Sequence, residues 1–205
     1  MLDAVYKYLI RFVDISNEEF AYLSKFVEVR YLNKKVQLVS VGEKEKYVNF
    51  LIKGLVRKFF YRQKEEVITQ IAKEGDLICS SVSFLSGHNS DYVVETIEPT
   101  TVLSISAENM EKIYSLSYRM ERLGRLVIID WLLQKEYWEN ERIKQGPKER
   151  FLNFISNNPD LLIRVPQKYL ASYLNIKPET FSRYKHLLQR PSSQHQRNNK
   201  TMIHH

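Results

Sequence analysis

The chain has 205 residues, 43% of them hydrophobic and 27% charged, the proportions of an ordinary globular protein of one large or two small domains. No apolar run reaches the ~18 residues that span a bilayer, and the longest, Leu126 to Leu133, contains Asp130, so no membrane partner is expected. The N-terminal MLDAVYKYLIRFV holds Asp3, Lys7 and Arg11 and offers no small-residue cleavage site, so it does not read as a signal peptide and the expected location is the cytoplasm. Cys79 is the only cysteine, which excludes an internal disulfide and a cysteine-based metal or iron–sulfur cage.

The net charge of +7 is unevenly placed. Residues 1–147 hold 21 basic and 21 acidic residues, whereas residues 148–205 hold 10 basic and 3 acidic. A neutral body with a basic end points to a polyanionic partner for that end.

In chain order, Phe20, Leu23 and Phe26 share one face of a short helix over Asn17 to Phe26, capped by Ser16 or Asn17 and opened by Glu18 and Glu19. From Val27 to about Ser106 the pattern becomes short strands: VEVRYL, KVQLVSV, YVNFLI, LVRKFFYR, EVITQIA, DLICSSV, YVVETI and TVLSIS. Regular short strands divided by turn signals, with Gly42, Gly54, Gly75 and Gly87 between them, predict a β-sandwich or barrel. From Leu116 to Lys144 there is no proline and only Gly124, which predicts one helix of roughly 40 Å. Its apolar residues make two stripes. Ile113, Leu116, Met120, Leu123 and Val127 form one; Leu126, Ile129 and Leu133 form the other, with Ile128 and Leu132 between. A helix apolar on two faces needs two partners, so one stripe is expected on the barrel and the other on a second copy of the chain. The dimer interface is assigned to Leu116, Met120, Leu123 and Val127.

Gly146-Pro147 ends that helix. KERFLNFISN (148–157) predicts another, with Phe151, Leu152 and Ile155 inward. Val165 to Arg190 then reads as two short helices with a tight turn. Leu170 and Leu174 face inward and Ala171 allows close crossing. Asn175 suits a left-handed turn residue, Ile176 plugs the angle, and Phe181, Tyr184 and Leu188 face the core. This is a helix-turn-helix pattern. Outward residues of the second helix are Lys177, Glu179, Thr180, Ser182, Arg183 and Lys185. In a major groove, Arg183 suits guanine and Glu179 suits cytosine, Thr180 suits a methyl group or a phosphate, and Lys168, Lys185 and His186 suit phosphates. The residues after Pro191 lack periodicity and read as a tail.

YLASYLNIKPETFSR resembles the reader motif of the Crp/Fnr family of bacterial transcription regulators, with Glu179, Thr180 and Arg183 at its recognition positions. VNFLIKGLVRKFF around Gly54 and KEGDLI around Gly75-Asp76 resemble that family's turns, and the resemblance covers nearly the whole chain. It implies an α+β fold: an N-terminal cyclic-nucleotide-binding-like β-barrel (double-stranded β-helix, or jelly-roll) over 1–115 and a dimerisation helix over 116–145. A helix-turn-helix domain over 146–190 and a tail over 191–205 follow. It also implies a homodimer bound to double-stranded DNA at a palindromic operator, with RNA polymerase and an unidentified small-molecule effector as further partners.

The sequence departs from the family at two places. Cyclic-AMP-binding members carry a Glu and an Arg in the ligand cassette; here Ser80, followed by Ser81, stands for the first, and Ser90 and Asp91 stand for the Arg and its neighbour. Without the Arg and with a carboxylate near the phosphate, cyclic AMP in the usual mode is not expected. No cofactor or metal is assigned, because the lone Cys79 excludes a four-cysteine cluster and no histidine has a haem-ligand context. The family's C-terminal wing has no counterpart in QRPSSQHQRNNKTMIHH, and Lys177 at the reader helix cap lacks an accepting oxygen. An enzyme is not expected, since no triad, metal spacing or phosphate loop is present. The alternative to a DNA-binding regulator is a ligand-binding sensor module with weak or lost DNA binding.

Overall fold

The computed structural model describes residues 1–189. The expected tail at 191–205, and with it the question of the wing, lies outside the described residues. The chain divides into two compact units, Met1–Ile143 and a second beginning at Lys144.

The first unit opens with α1 (Leu2–Leu9) and α2 (Asn17–Leu23). α2 starts in a capping box: Glu19 N donates to Ser16 Oγ at 3.1 Å, and Ser16 N donates to the Glu19 carboxylate at 2.8 Å. Eight strands follow: β1 (Val27–Leu32), β2 (Gln37–Val39), β3 (Tyr47–Lys53), β4 (Val56–Arg62), β5 (Glu65–Ala72), β6 (Leu77–Ile78), β7 (Val93–Thr96) and β8 (Thr100–Ser106). They form two four-stranded antiparallel sheets, β1-β8-β3-β6 and β2-β7-β4-β5. Of the expected sandwich or barrel, the described residues form two four-stranded sheets face to face, as in a jelly-roll, and no ladder joins them into a closed barrel. Val39, Leu51, Val56, Ala72, Ile78, Val94 and Val102, drawn from both, form one buried core.

The chain changes sheet between β3 and β4 at Gly54, whose φ is +101°. A Cβ there would sit 2.5 Å from Thr100 Oγ1 and 2.7 Å from the Pro99 carbonyl, so only glycine fits. On the second sheet Arg57 clamps three strands, donating to Glu95 of β7 at 2.8 Å and to Glu66 of β5 at 2.5 Å. DLICSSV, expected as a strand, is strand only at Leu77–Ile78; a helix, α3 (Ser81–Ser86), follows it.

The helix expected from about Leu116 to Lys144 is α5 (Tyr118–Lys144); a separate helix, α4 (Ala107–Tyr114), precedes it and carries Ile113. Ser106 Oγ caps α4 by accepting from Asn109 N at 3.1 Å, and Ser117 plays the same part for α5 through Met120 N. Leu116 lies in the link and is 45% exposed. Met120 and Leu123 are only 4% and 5% exposed, packed with Ile15, Leu23 and Ile113 of the same unit, with Val127 against them. The stripe assigned to the dimer therefore serves the chain's own core. Gly124 sits on that side because an added Cβ would overlap the Tyr114 ring. The opposite side of α5 leaves Ile129, Leu132, Leu133 and Tyr137 exposed.

The second unit holds α6 (Pro147–Asn157), α7 (Leu161–Arg164), α8 (Gln167–Tyr173) and α9 (Pro178–Gln189). Pro147 takes the first turn of α6, where its missing N–H costs nothing. Phe151, Phe154, Ile155, Leu161, Val165, Leu170, Ala171, Leu174 and Phe181 are buried. Leu152 and Leu188, expected inward, are exposed; Phe154 takes the inward place on α6, three residues after Phe151.

Candidate nucleic-acid interface and effector pocket

In the second unit the turn between α8 and α9 is set by Asn175, whose φ is +50°. Its left-handed conformation lets Ile176 N donate to the Ala171 carbonyl at 3.0 Å, closing the end of α8. Ala171 is 1% exposed, so a larger side chain has no room there. Phe181 of α9 meets Phe151 of α6 edge to face, with ring centroids 5.1 Å apart. Arg150, buried in α6, donates through Nε to the Leu174 carbonyl at 2.8 Å and satisfies the end of α8. These contacts fix which side of α9 is free.

Phe181 N donates to the Lys177 carbonyl at 2.9 Å, so Lys177 stands at the start of α9 without a capping side chain. Opposite Phe181, Glu179, Arg183 and His186 are exposed at helical spacing. Thr180, Ser182 and Lys185 are half-buried on its flanks, and Lys168 of α8 is exposed. The Arg183 guanidinium lies 5.5 Å from the Tyr184 ring centroid and Lys168 Nζ 5.1 Å from that of Tyr169. Among the described residues no carboxylate pairs with Lys168, Lys177, Arg183 or Lys185.

In the first unit, Ser80 and Ser90 are brought together: both are buried and their hydroxyls lie 2.7 Å apart. Ser81 is half-buried and Asp91 is exposed, so Asp91 does not join them. The sequence reading missed two buried charges here. Glu45, in the loop before β3, accepts from Lys46 N at 3.1 Å, Tyr47 N at 3.2 Å and Ser80 N at 3.0 Å. Burial pushes its carboxyl above the usual range, opposed by those three donors. Lys58 of β4 is 5% exposed, with one long hydrogen bond of 3.5 Å to the Cys79 carbonyl. Burial first, then Lys135 of α5, pulls its ammonium down to about 8. Strand alternation carried the signal for Lys58, since it shares a face with Val56 of the core. Glu45 is a loop residue with no such signal. Burial pushes the Cys79 thiol up to about 12, so it is inert.

Among the described residues no group of three or more His, Cys, Asp and Glu could hold a metal ion, and no helix is long and apolar enough to cross a membrane.

No protein-family model matches the chain. No curated protein matches it in sequence. Solved structures do match. FixK2 from Bradyrhizobium japonicum superposes with a TM-score of 0.68 at 19% identity, over 80% of this chain and 84% of its own. A protein of Eubacterium rectale assigned to the crp/fnr family of transcriptional regulators gives 0.66 at 13% identity, over 89% and 88%. The fold is that of the Crp/Fnr regulators. The c-di-GMP-responsive global regulator CLP of Xanthomonas campestris gives 0.62 at 14% identity, over 82% and 88%. At these identities the likeness to Crp/Fnr proteins is one of fold. It agrees with the motif resemblance in YLASYLNIKPETFSR.

Proposed function

We propose that this protein is a sequence-specific, DNA-binding transcription regulator acting as a homodimer on a two-fold symmetric operator. The observation that supports it best is the helix-turn-helix of α8 and α9, whose outer side presents Lys168, Lys177, Arg183 and Lys185 with no carboxylate partner among the described residues. On this reading α9 enters the major groove. Arg183 makes a bidentate contact to guanine, Glu179 accepts from cytosine, and Thr180 meets a methyl group or a phosphate. Ser182, on the flank of α9, completes the groove contacts. Lys168, Lys177 and Lys185 hold phosphates and set register.

The dimer surface is assigned to the outer side of α5. Ile129, Leu133 and Tyr137 recur at four-residue spacing there, with Leu126 leading into them. Pairing through this stripe leaves Met120 and Leu123 in their own core. Gln145-Gly146-Pro147 joins the units, and any effector acts by favouring one arrangement of that joint over another.

Cyclic AMP in its usual mode is not the effector. Ser80 and Ser90 satisfy each other, and the Glu45 carboxylate already holds the Ser80 backbone N–H. A binding assay on a duplex carrying the selected site tests the reading. Six lysine–phosphate contacts per dimer give a slope of log K against log salt of about −5. A salt-independent affinity would defeat it.

A further inference from the structure

The first unit contains an apolar pocket of about 180 Å³, partly open to solvent and walled by α1, α2, the outer face of the first sheet, α3, α4 and the first half of α5. Val5, Tyr8, Phe50, Leu103, Val127 and Trp131 mark its sides. β3 alternation accounts for its floor: Asn49 and Leu51 turn inward between the sheets, which leaves Val48 and Phe50 facing the helices. α1 closes another side, yet none of its residues is buried. Tyr6 and Leu9 hold α1 on the core, while Leu2, Val5 and Tyr8 line the pocket.

Protein interiors are close-packed, and voids much larger than a water molecule are few. An apolar cavity of roughly 150 Å³ stays dry and takes up benzene. The wall here holds no Asp, Glu, Lys, Arg or His. The charges beside it pair with each other, Arg11 with Asp130 at 3.9 Å, while the Arg11 guanidinium stacks 5.4 Å over the Tyr8 ring. A charged occupant would be stripped of water with no partner for its charge. Tyr8 and Trp131 bring polar groups to the wall, and the Trp131 Nε1 N–H is buried without a hydrogen-bond partner. Burial, and secondly Asp130, pushes the Tyr8 phenol up to about 12, so it stays a neutral donor. Its hydroxyl makes no hydrogen bond to another described residue.

We propose that this pocket is a binding site for a small, neutral, largely hydrocarbon molecule, roughly the size of a monosubstituted benzene, with at most one oxygen acceptor, taken by the Trp131 Nε1 N–H or the Tyr8 hydroxyl. The site is separate from the Ser80–Ser90 pocket and does not depend on how the second unit meets DNA. Its walls join α1 and α4 to α5, so an occupant holds the N-terminal helices on the long helix.

The test is thermal unfolding of the full-length protein with toluene, acetophenone or benzoate. The neutral probes are expected to raise the melting midpoint saturably, by roughly 3–5 °C for each tenfold excess over Kd; benzoate is expected to leave it unchanged. Tyr8→Phe or Trp131→Phe should weaken acetophenone several-fold and spare toluene. Val5→Phe and Val127→Phe fill the cavity from two different helices, and each should abolish the response to both probes. Because the two substitutions lie on separate elements, misfolding of one leaves the other as the control. No shift with either neutral probe overturns the proposal, as does an undiminished shift in both filled variants or an equal response to benzoate. Conversion of the filled variants to monomers in sedimentation would also overturn it, by showing that a second copy occupies the cavity.

Discussion

Ser90 Oγ lies 2.7 Å from Ser80 Oγ, both buried, and the backbone N–H of the same Ser80 donates to the Glu45 carboxylate at 3.0 Å. A stretch that resembles a ligand cassette therefore closes on its own side chains. The hydroxyls bond to each other, and the Ser80 N–H is already taken by Glu45. Cyclic AMP at millimolar concentration is expected to leave the melting midpoint unchanged. A saturable rise would show that the pocket opens. Glu45→Ala should cost about 3 kcal/mol by leaving the N–H groups of Lys46, Tyr47 and Ser80 unpaired, as measured by urea unfolding.

Lys58 gives stability a distinctive dependence on pH. Its folded pKa is about 8 against 10.5 for an ordinary lysine. Between those values the unfolded chain holds the proton that the folded chain has released, so stability rises as pH climbs through the window. Below about pH 8 the buried ammonium is charged in both states and its cost is fully present. Lys58→Met is expected to stabilise the protein at pH 7 by on the order of 2 kcal/mol and to flatten the rise between pH 8 and 10. An unchanged profile in the variant would assign the effect elsewhere.

The two sides of α5 should respond differently. Met120→Ala removes a side chain that is 4% exposed, and is expected to cost 2–5 kcal/mol of stability without selective loss of dimer. Ile129→Glu with Leu133→Glu places charges on the exposed stripe. Sedimentation is expected to find folded monomers. A dimer that survives would place the interface elsewhere.

In the reader unit, base contacts and phosphate contacts should separate. Arg183→Ala is expected to relax base preference at one position per half-site and cost about 1–3 kcal/mol. Lys168→Ala should weaken all duplexes alike and reduce the salt slope by about two units per dimer. Parallel titrations of site and mutated-site duplexes at several salt concentrations distinguish these outcomes.

What the sequence revealed depended on whether a local signal existed. Short Val-, Ile-, Phe- and Tyr-rich runs between turn signals marked β1, β3, β4 and β8, and Asn175 and Gly146-Pro147 stood out because left-handed backbone and helix ends favour few residue types. Ile113 was joined to the stripe of the long helix because the link at Ser115–Ser117 contains neither Gly nor Pro; its only mark is Ser117, a cap set inside an apolar stripe. The core packing of Met120 and Leu123 was illegible for a different reason. Helical spacing reports that a face is apolar and says nothing about whether α2 or another copy covers it. Glu45 reaches Ser80 across 35 positions of chain, a juxtaposition that only the folded sheets create.

The most direct measurement is enrichment of duplexes from a random DNA pool by the purified full-length protein, without added ligand. The expected result is a two-fold symmetric motif whose half-sites lie about one helical turn, roughly 34 Å, apart, with one position in each half-site losing its preference in Arg183→Ala. Recovery of no motif, or of one with no symmetry and no response to Arg183→Ala, would contradict dimeric reading of DNA by α9.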